Sequence, residues 1–458
     1  MNQKKILTSS FRDPSGFLFY EDGKLLRQVN KSYQKDYEQL MGSGLYDTLC
    51  KKDYLVRHQE IDFSKGLSTG MYKVLQPEEI GFISYPYEWT FSQLKDAALT
   101  TLAIQKIALT YGMTLKDASA YNIQFHQGKP IFIDTLSFEL YQEGEPWGAY
   151  RQFCQHFLAP LALMSYTDIR LNQLMKIYLD GIPLDLAGRL LPFKTKYMFS
   201  LLMHIHLHAK TQKRYEHKGS AAKKVKISKN NLTALIHSLS TIIKKLKIKT
   251  QNTEWGDYYT FTNYSESSFA HKKEIISGYI DKIKPQTVWD LGANTGEFTQ
   301  IASQAGAQCV AFDIDPMAVE SNYRNIRKHK IKNVLPLVLD LTNPTPSIGW
   351  NNEERMGFTS RPLPDVVFAF ALIHHLAISN NLPFYKIARF LCELSENLVI
   401  EFVPKSDTQV KKLLESRNDI FDDYNEESFV KEFESFFRIM AKEKVVDSER
   451  TLFWMVKK

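Results

Sequence analysis

Residues 288–296 read Val-Trp-Asp-Leu-Gly-Ala-Asn-Thr-Gly, an apolar run that meets an aspartate and then a loop bracketed by glycines. Gly292 and Gly296 lack a Cβ, so the backbone there can adopt strained angles and let a ligand approach closely. Asp290 stands where the strand ends. Behind the loop, Phe298, Ile301, Ala302 and Ala305 recur at helical spacing and Gly306 acts as a stop signal, which predicts a short helix with one face on a sheet.

The next strand is expected over Gln308 to Phe312 and closes on Asp313-Ile314-Asp315-Pro316. Asp315 reads as an N-cap with Pro316 at the first helical position, which leaves Asp313 at the strand tip. In a glycine-loop α/β unit, an acidic side chain about 20 residues on accepts hydrogen bonds from ribose hydroxyls, and Asp313 fits that role. A third apolar strand, Val334 to Leu339, ends at Asp340-Leu341. Three successive strands thus deliver aspartates at their carboxyl ends, where open α/β sheets bind ligands.

This set resembles the class I S-adenosylmethionine-dependent methyltransferases, whose first motif has the acidic-x-Gly-x-x-x-Gly form matched by Asp290, Gly292 and Gly296. The Gly-x-Gly-x-x-Gly pattern of a dinucleotide enzyme is missing. The resemblance implies S-adenosyl-L-methionine as cofactor, its methionine part held by Asp290 and the Gly292, Ala293, Asn294, Thr295, Gly296 backbone. Asp313 with Ile314 would serve the ribose, and Asp340 and Leu341 would flank the adenine. No metal is expected in this domain.

The methyl acceptor should meet strand four, Asp365 to Phe370, and its exit loop Ala371-Leu372-Ile373-His374-His375. Methyl transfer to oxygen calls for a base of near-neutral pKa, so His374 is the first candidate and His375 the second. No Asn-Pro-Pro-Tyr or Asp-Pro-Pro-Tyr element stands there, which disfavours methylation of a base amine. Cys309 lies inside a strand and Cys392 inside an apolar helix, so covalent attack on a pyrimidine has no thiolate to use. Leu398 to Val403 predicts strand five, with Glu401 facing the acceptor pocket; Phe437 to Val446 and Thr451 to Val456 predict the closing antiparallel hairpin. The insertion Thr342 to Pro364 is expected to act as a lid. The aromatic segment before the helix predicted over Lys272 to Ile283 includes Tyr259 and Tyr264; in similar enzymes such a segment closes over the cofactor, which implies that Tyr264 or Tyr259 lines it, and hydrophobic staple packing is the other reading.

The 458 residues suit more than one domain, and 44% hydrophobic content suits packed cores. No apolar run reaches the length of a membrane span. The first ten residues carry no signal-type core, so a cytoplasmic protein is expected. Cys50, Cys154, Cys309 and Cys392 are too dispersed for a disulfide framework or zinc knuckle. The net charge is +7, yet Lys210 to Lys249 alone contribute +11, so the basicity is local. Thr211 to Asn231 reads as a solvated linker and Leu232 to Ile248 as an amphipathic helix; an RNA-binding patch is the other reading of the same stretch. His204, His206 and His208 alternate within a helical context and point to different faces, which argues against a metal site.

Residues 1–210 hold a fainter constellation. A helical pattern from Thr90 to Tyr111 ends at Gly112, and a loop, a hairpin with Gln127-Gly128 and Ile131-Phe132-Ile133-Asp134 follow. Asp117, Asn122 and Asp134 resemble, in spacing, the catalytic loop and metal aspartate of protein kinases and aminoglycoside-type phosphotransferases, which implies ATP with Mg²⁺. The departures are Leu115 for the loop histidine, Thr135-Leu136 for the Phe-Gly after the metal aspartate, the lack of a full glycine-rich loop, and Arg27 for the phosphate-pairing lysine.

The expected fold class is therefore α/β, with a C-terminal seven-stranded Rossmann-like methyltransferase sheet and an N-terminal α+β kinase-like domain. The boundaries are 1–210, a basic linker and amphipathic helix at 211–250, and 251–458. The whole-chain combination resembles bacterial proteins grouped with nodulation or surface-glycan modification. That resemblance implies O-methylation of a small-molecule or glycan acceptor; an RNA methyltransferase and a bifunctional kinase-methyltransferase are the alternatives.

Overall fold

A computed structural model describes residues 5–62, 70–207, 226–248, 265–415 and 418–458. His208, Tyr259, Tyr264 and residues 211–225 lie outside these. The chain divides into two compact units: residues 1–250 together with 347–355, and residues 251–346 together with 356–458.

In the first unit, β1 (Lys5–Ile6), β2 (Gly16–Glu21), β3 (Lys24–Asn30), β4 (His58–Ile61) and β5 (Met71–Pro77) form an antiparallel five-stranded sheet ordered β1-β2-β3-β5-β4. The β2–β3 hairpin turns at Asp22-Gly23, both at positive φ (52° and 76°), the pairing that a two-residue turn needs to match strand twist. The long helix runs Phe91–Thr110, opened by a Thr90/Gln93 capping box and closed before Gly112 at φ 72°. Short strands follow: β6 (Met113–Leu115) pairs with β9 (Phe138–Leu140), and β7 (Ile123–His126) with β8 (Lys129–Phe132). The remainder, up to Leu207, is a run of short helices.

The amphipathic helix covers Lys229–Lys245 and belongs to this first unit. Leu232, Ile236, Leu239 and Ile243 are buried at helical spacing. Lys95 Nζ, from the long helix, donates to the carbonyls of Lys244 (2.9 Å) and Leu246 (2.7 Å) and so ends the helix before the expected Ile248.

The second unit is built on β10 (Thr287–Leu291), β11 (Gln308–Asp313), β12 (Val334–Val338), β13 (Val366–Ala369), β14 (Asn397–Phe402), β15 (Phe437–Lys444) and β16 (Thr451–Lys457), ordered β12-β11-β10-β13-β14-β16-β15. Pairing is parallel from β12 to β14, and β16 runs antiparallel to both neighbours. The order reverses between β10 and β13, so a crevice opens at their carboxyl ends. The five parallel strands are mostly apolar, with the carboxylates Asp290, Asp313 and Glu401 set into them. The helix ahead of β10 spans Glu266–Ile283, starting earlier than its apolar pattern because Ser265 Oγ caps the N–H of Ser268 at 3.1 Å.

Within the insertion after β12, residues 347–355 belong to the first unit. Glu354, 3% exposed, receives Arg12 through Nε and Nη2 at 2.8 and 2.7 Å. The Arg355 guanidinium lies 4.2 Å from the Tyr121 ring centroid. A buried carboxylate needs a counter-cation, and Arg12 supplies it.

Leu239 is fully buried, so Leu239→Ala should lower stability by about 2–5 kcal/mol. Urea unfolding would read this as a lower midpoint; an unchanged midpoint would mean that the helix is not part of the folded first unit.

Candidate functional site

The site forms where β10, β11 and β12 end. The loop after β10 uses its own N–H groups internally: Gly292 and Ala293 donate to Phe312 O (2.9 Å each) and Gly296 donates to Ala293 O (2.8 Å). Asn294 donates to Asp313 Oδ2 (2.7 Å) and Thr295 to Asn294 Oδ1 (2.8 Å). A phosphate-cradling loop would aim these donors outward. With its five amides engaged, this loop offers no free N–H donors to an anion, which suits a cationic group better than an anionic one.

Gly296 is at φ 84°, and a Cβ there would come within 2.5 Å of the Asn322 side chain. Gly292, at φ 79°, faces Leu372 at ordinary packing distance. Asn294 takes φ 50°, a left-handed conformation that asparagine tolerates better than most residues. Sequence alone marked the two glycines; the left-handed asparagine between them is visible only in the fold.

Asp290 is buried beneath the loop, its Oδ2 accepting from Thr299 Oγ1 at 2.6 Å, and burial pushes its carboxyl up to about 7. It supports the loop from below. Asp313 reaches the rim, where its Oδ1 accepts from Asp315 N at 2.9 Å. Burial pushes its carboxyl up to about 6, against the pull of backbone donors. Ile314 beside it is 58% exposed, an apolar side chain standing at the rim of the sheet. Asp340 accepts from Thr342 N and Oγ1 (2.8 and 2.7 Å) and so shapes the turn that carries Leu341.

The exit loop of β13 differs from expectation. His374 is 1% exposed; burial and the nearby charge of Arg450 hold its pKa well below the usual imidazole range, and push that of His375 down to about 4. Neither is a base of near-neutral pKa, because desolvation and a neighbouring cation both oppose protonation. Their rings lie 4.1 Å apart. His375 is the less buried of the two, so it is the one that a group arriving from solvent meets.

Glu401, expected to face an acceptor pocket, is fully buried. Its Oε2 accepts from Lys272 Nζ at 2.8 Å and from Ala371 N at 2.7 Å, with Arg450 Nη1 at 3.9 Å. Arg450 also donates to Asp407 through Nε and Nη2, at 2.8 and 3.3 Å. Lys272 lies over the rings of Phe298 (4.3 Å) and Phe370 (4.9 Å), and burial lowers its pKa to about 8. Ala371 holds φ 47°, a costly conformation for alanine that this carboxylate pins. Lys272 and Arg450 escaped the sequence reading; the signal was a carboxylate inside the apolar run Leu398–Val403, which needs a buried cation.

A cleft of about 740 Å³ opens at the carboxyl end of β14, lined among others by Phe402, Tyr424, Lys405, Lys442, Asp422 and Glu426.

In the first unit, Asp117, Asn122 and Asp134 do come together. Asn122 hydrogen-bonds Asp117, whose pKa is raised by burial and then by the charge of Asp134. Asp134, however, is held by Arg27, by Ser137 Oγ and by Leu136 N, and Asn122 donates to Ser137 Oγ at 3.2 Å. No group of acidic, histidine or cysteine side chains fit for a metal ion stands among the described residues. This set does not fit Mg²⁺. His204 and His206 are buried struts: His204 bonds Tyr150 Oη (2.7 Å) and Ser238 Oγ (3.3 Å), and His206 bonds Thr195 Oγ1 (3.0 Å).

No family model matches the chain. It is 36% identical over 464 residues to the nodulation protein NoeA of Rhizobium meliloti (strain 1021), spanning 98% of this chain and 95% of that protein. Among solved structures, magnesium protoporphyrin IX methyltransferase from Synechocystis PCC 6803 with bound SAH is 15% identical, covering 44% of this chain and 93% of its own at a TM-score of 0.32. The N-methyltransferase NodS from Bradyrhizobium japonicum WM9 is 9% identical, covering 42% and 98% at a TM-score of 0.32.

Glu401→Gln removes the charge that compensates buried Lys272, which should cost about 3–5 kcal/mol. Adding Lys272→Met should return most of the loss. Urea unfolding of both variants checks this; equal stability of wild type and the single variant would mean that the pair does not hold the loop.

Proposed function

We propose that this chain, which belongs to the family of the nodulation protein NoeA, transfers a methyl group from S-adenosyl-L-methionine to an acceptor hydroxyl at the crevice of its second unit. The observation that carries the reading is the glycine loop with all five amides already engaged within the protein. Such a loop disfavours pyrophosphate and favours a ligand whose nearest groups are an ammonium and a sulfonium.

Gly292, Ala293, Asn294, Thr295 and Gly296 would hold the methionine part, with Asp290 fixing the loop from beneath. Asp313 would take the ribose hydroxyls, Ile314 would pack on the nucleoside, and Asp340 and Leu341 would bound the adenine. When bound, the cofactor would supply an electrophilic methyl carbon to the acceptor oxygen. His375, neutral at physiological pH, would accept a hydrogen bond from the acceptor hydroxyl and orient it, with His374 packed behind, and the hydroxyl proton would pass to water as the methyl is taken up.

The cleft at the end of β14 supports a polar acceptor. Its lysine and carboxylate lining complements a polyhydroxylated molecule such as a glycan better than an apolar one. The finer reading is therefore O-methylation of a glycan or polar small molecule. The first unit is read as a kinase-like scaffold rather than a working phosphotransferase, because Arg27 already occupies Asp134.

Calorimetry of the full chain should register uptake of S-adenosylmethionine and of its demethylated product, and none of NAD. Asp313→Ala should weaken uptake about tenfold to a hundredfold, the worth of hydrogen bonds to a charged group. A folded protein that takes up NAD, or neither methyl-donor form, would overturn the reading. Because the folded-state carboxyl of Asp313 titrates at about 6, it loses its charge as pH falls. Affinity should therefore decline between about pH 7 and about pH 5, and a binding curve flat across that window would remove Asp313 from the site.

A further inference from the structure

The turn and short helices between Pro192 and Leu207 carry side chains that the methyl-transfer reading does not use. Phe193, Tyr197 and Phe199 are 65%, 79% and 75% exposed, three of the four most exposed aromatic side chains among the described residues, and they fall within seven positions. Leu190, Met198 and Met203 add exposed aliphatic surface beside them. A water-facing apolar cluster of this kind marks a surface that meets something else.

The platform is rigid. Thr195 is fully buried inside the turn; its Oγ1 donates to Pro192 O at 2.7 Å and bonds buried His206 at 3.0 Å. Gly188 leaves room for the His206 ring, because a Cβ there would approach Nδ1 to 3.2 Å. The aromatic side chains are therefore presented by a braced turn. The Phe193 and Tyr197 rings meet edge to face at 5.5 Å, and Lys196 Nζ lies 4.7 Å from the Phe193 centroid.

Charge selects the partner. Lys194 and Lys196 alternate with the aromatic positions, Arg189 precedes them, and no acidic residue occurs between Asp185 and Glu216. We infer that this surface docks on an anionic lipid bilayer, the aromatic and methionine side chains entering the interface while the lysines meet the headgroups. The polar stretch 211–231 has too few large apolar residues to cover such a face. A two-fold related copy would set lysines against lysines. Nucleic acid would engage the lysines but leave Met198 and Leu190 without a partner.

Co-sedimentation of the full chain with vesicles of phosphatidylcholine, alone or mixed with phosphatidylglycerol, tests the inference. Binding is expected to the mixed vesicles and to weaken with salt. The triple variant Phe193→Ser, Tyr197→Ser, Phe199→Ser should bind more than about tenfold less. The pair Lys194→Gln, Lys196→Gln should bind about thirtyfold less at low salt, at roughly 1 kcal/mol per basic residue. All these positions are exposed, so thermal unfolding should match the wild type; if the triple variant unfolds early, the lysine pair still decides. Three outcomes overturn the inference: no wild-type binding to mixed vesicles, a wild-type dimer that the triple variant converts to monomer, or RNA binding that the triple variant loses without any vesicle binding.

Discussion

The second unit depends on one buried carboxylate. Glu401 lies in the middle of an apolar strand, and its Oε2 is shared by the Lys272 ammonium and the Ala371 amide. Taking these charges out of water costs several kcal/mol per ion, which only good geometry returns. In exchange the fold obtains a fixed exit loop after β13, with Ala371 at φ 47° and the His374-His375 pair held in one orientation. The same ammonium faces Phe298, the residue that opens the helix behind the glycine loop. A single ion pair therefore ties the two loops that bound the crevice, the one after β10 and the one after β13.

This arrangement explains what was legible in the sequence. The glycine loop, the rim aspartates and the strand pattern are local: each is a short window whose period, cap or turn residue speaks for itself. Asp315 as N-cap and Pro316 at the first helical position were readable from two adjacent letters, and Asp315 Oδ1 does accept from Met317 N at 2.8 Å. The ion-pair network is not local. Lys272 stands far in sequence from Glu401 and Arg450, and these two lie on separate strands or turns, so no short window holds the three together. Only the rule that a carboxylate in an apolar strand must be paired could have pointed to them, and it names no partner.

The histidines show how burial changes a chemical reading. Residue type and loop position made His374 a general base with a pKa near neutrality, but its pKa is set by surroundings that the sequence does not display. Burial and the Arg450 charge leave both imidazoles neutral, which preserves hydrogen-bond acceptance and removes basic strength. His204 and His206 follow the same logic at a structural position: each ring is enclosed and satisfied by hydroxyl groups, so alternation in sequence led to bracing.

Arg27 closes the parallel case in the first unit. Asp117, Asn122 and Asp134 lie near one another in the first unit. Chemistry requires more than proximity. A metal site needs carboxylate oxygens open to a hard cation, whereas Asp134 spends its oxygens on a guanidinium, a hydroxyl and a backbone amide. Arginine stays charged at every physiological pH and its planar donors engage a carboxylate more persistently than a lysine does. Arg27 at this position therefore braces Asp134 inside the first unit.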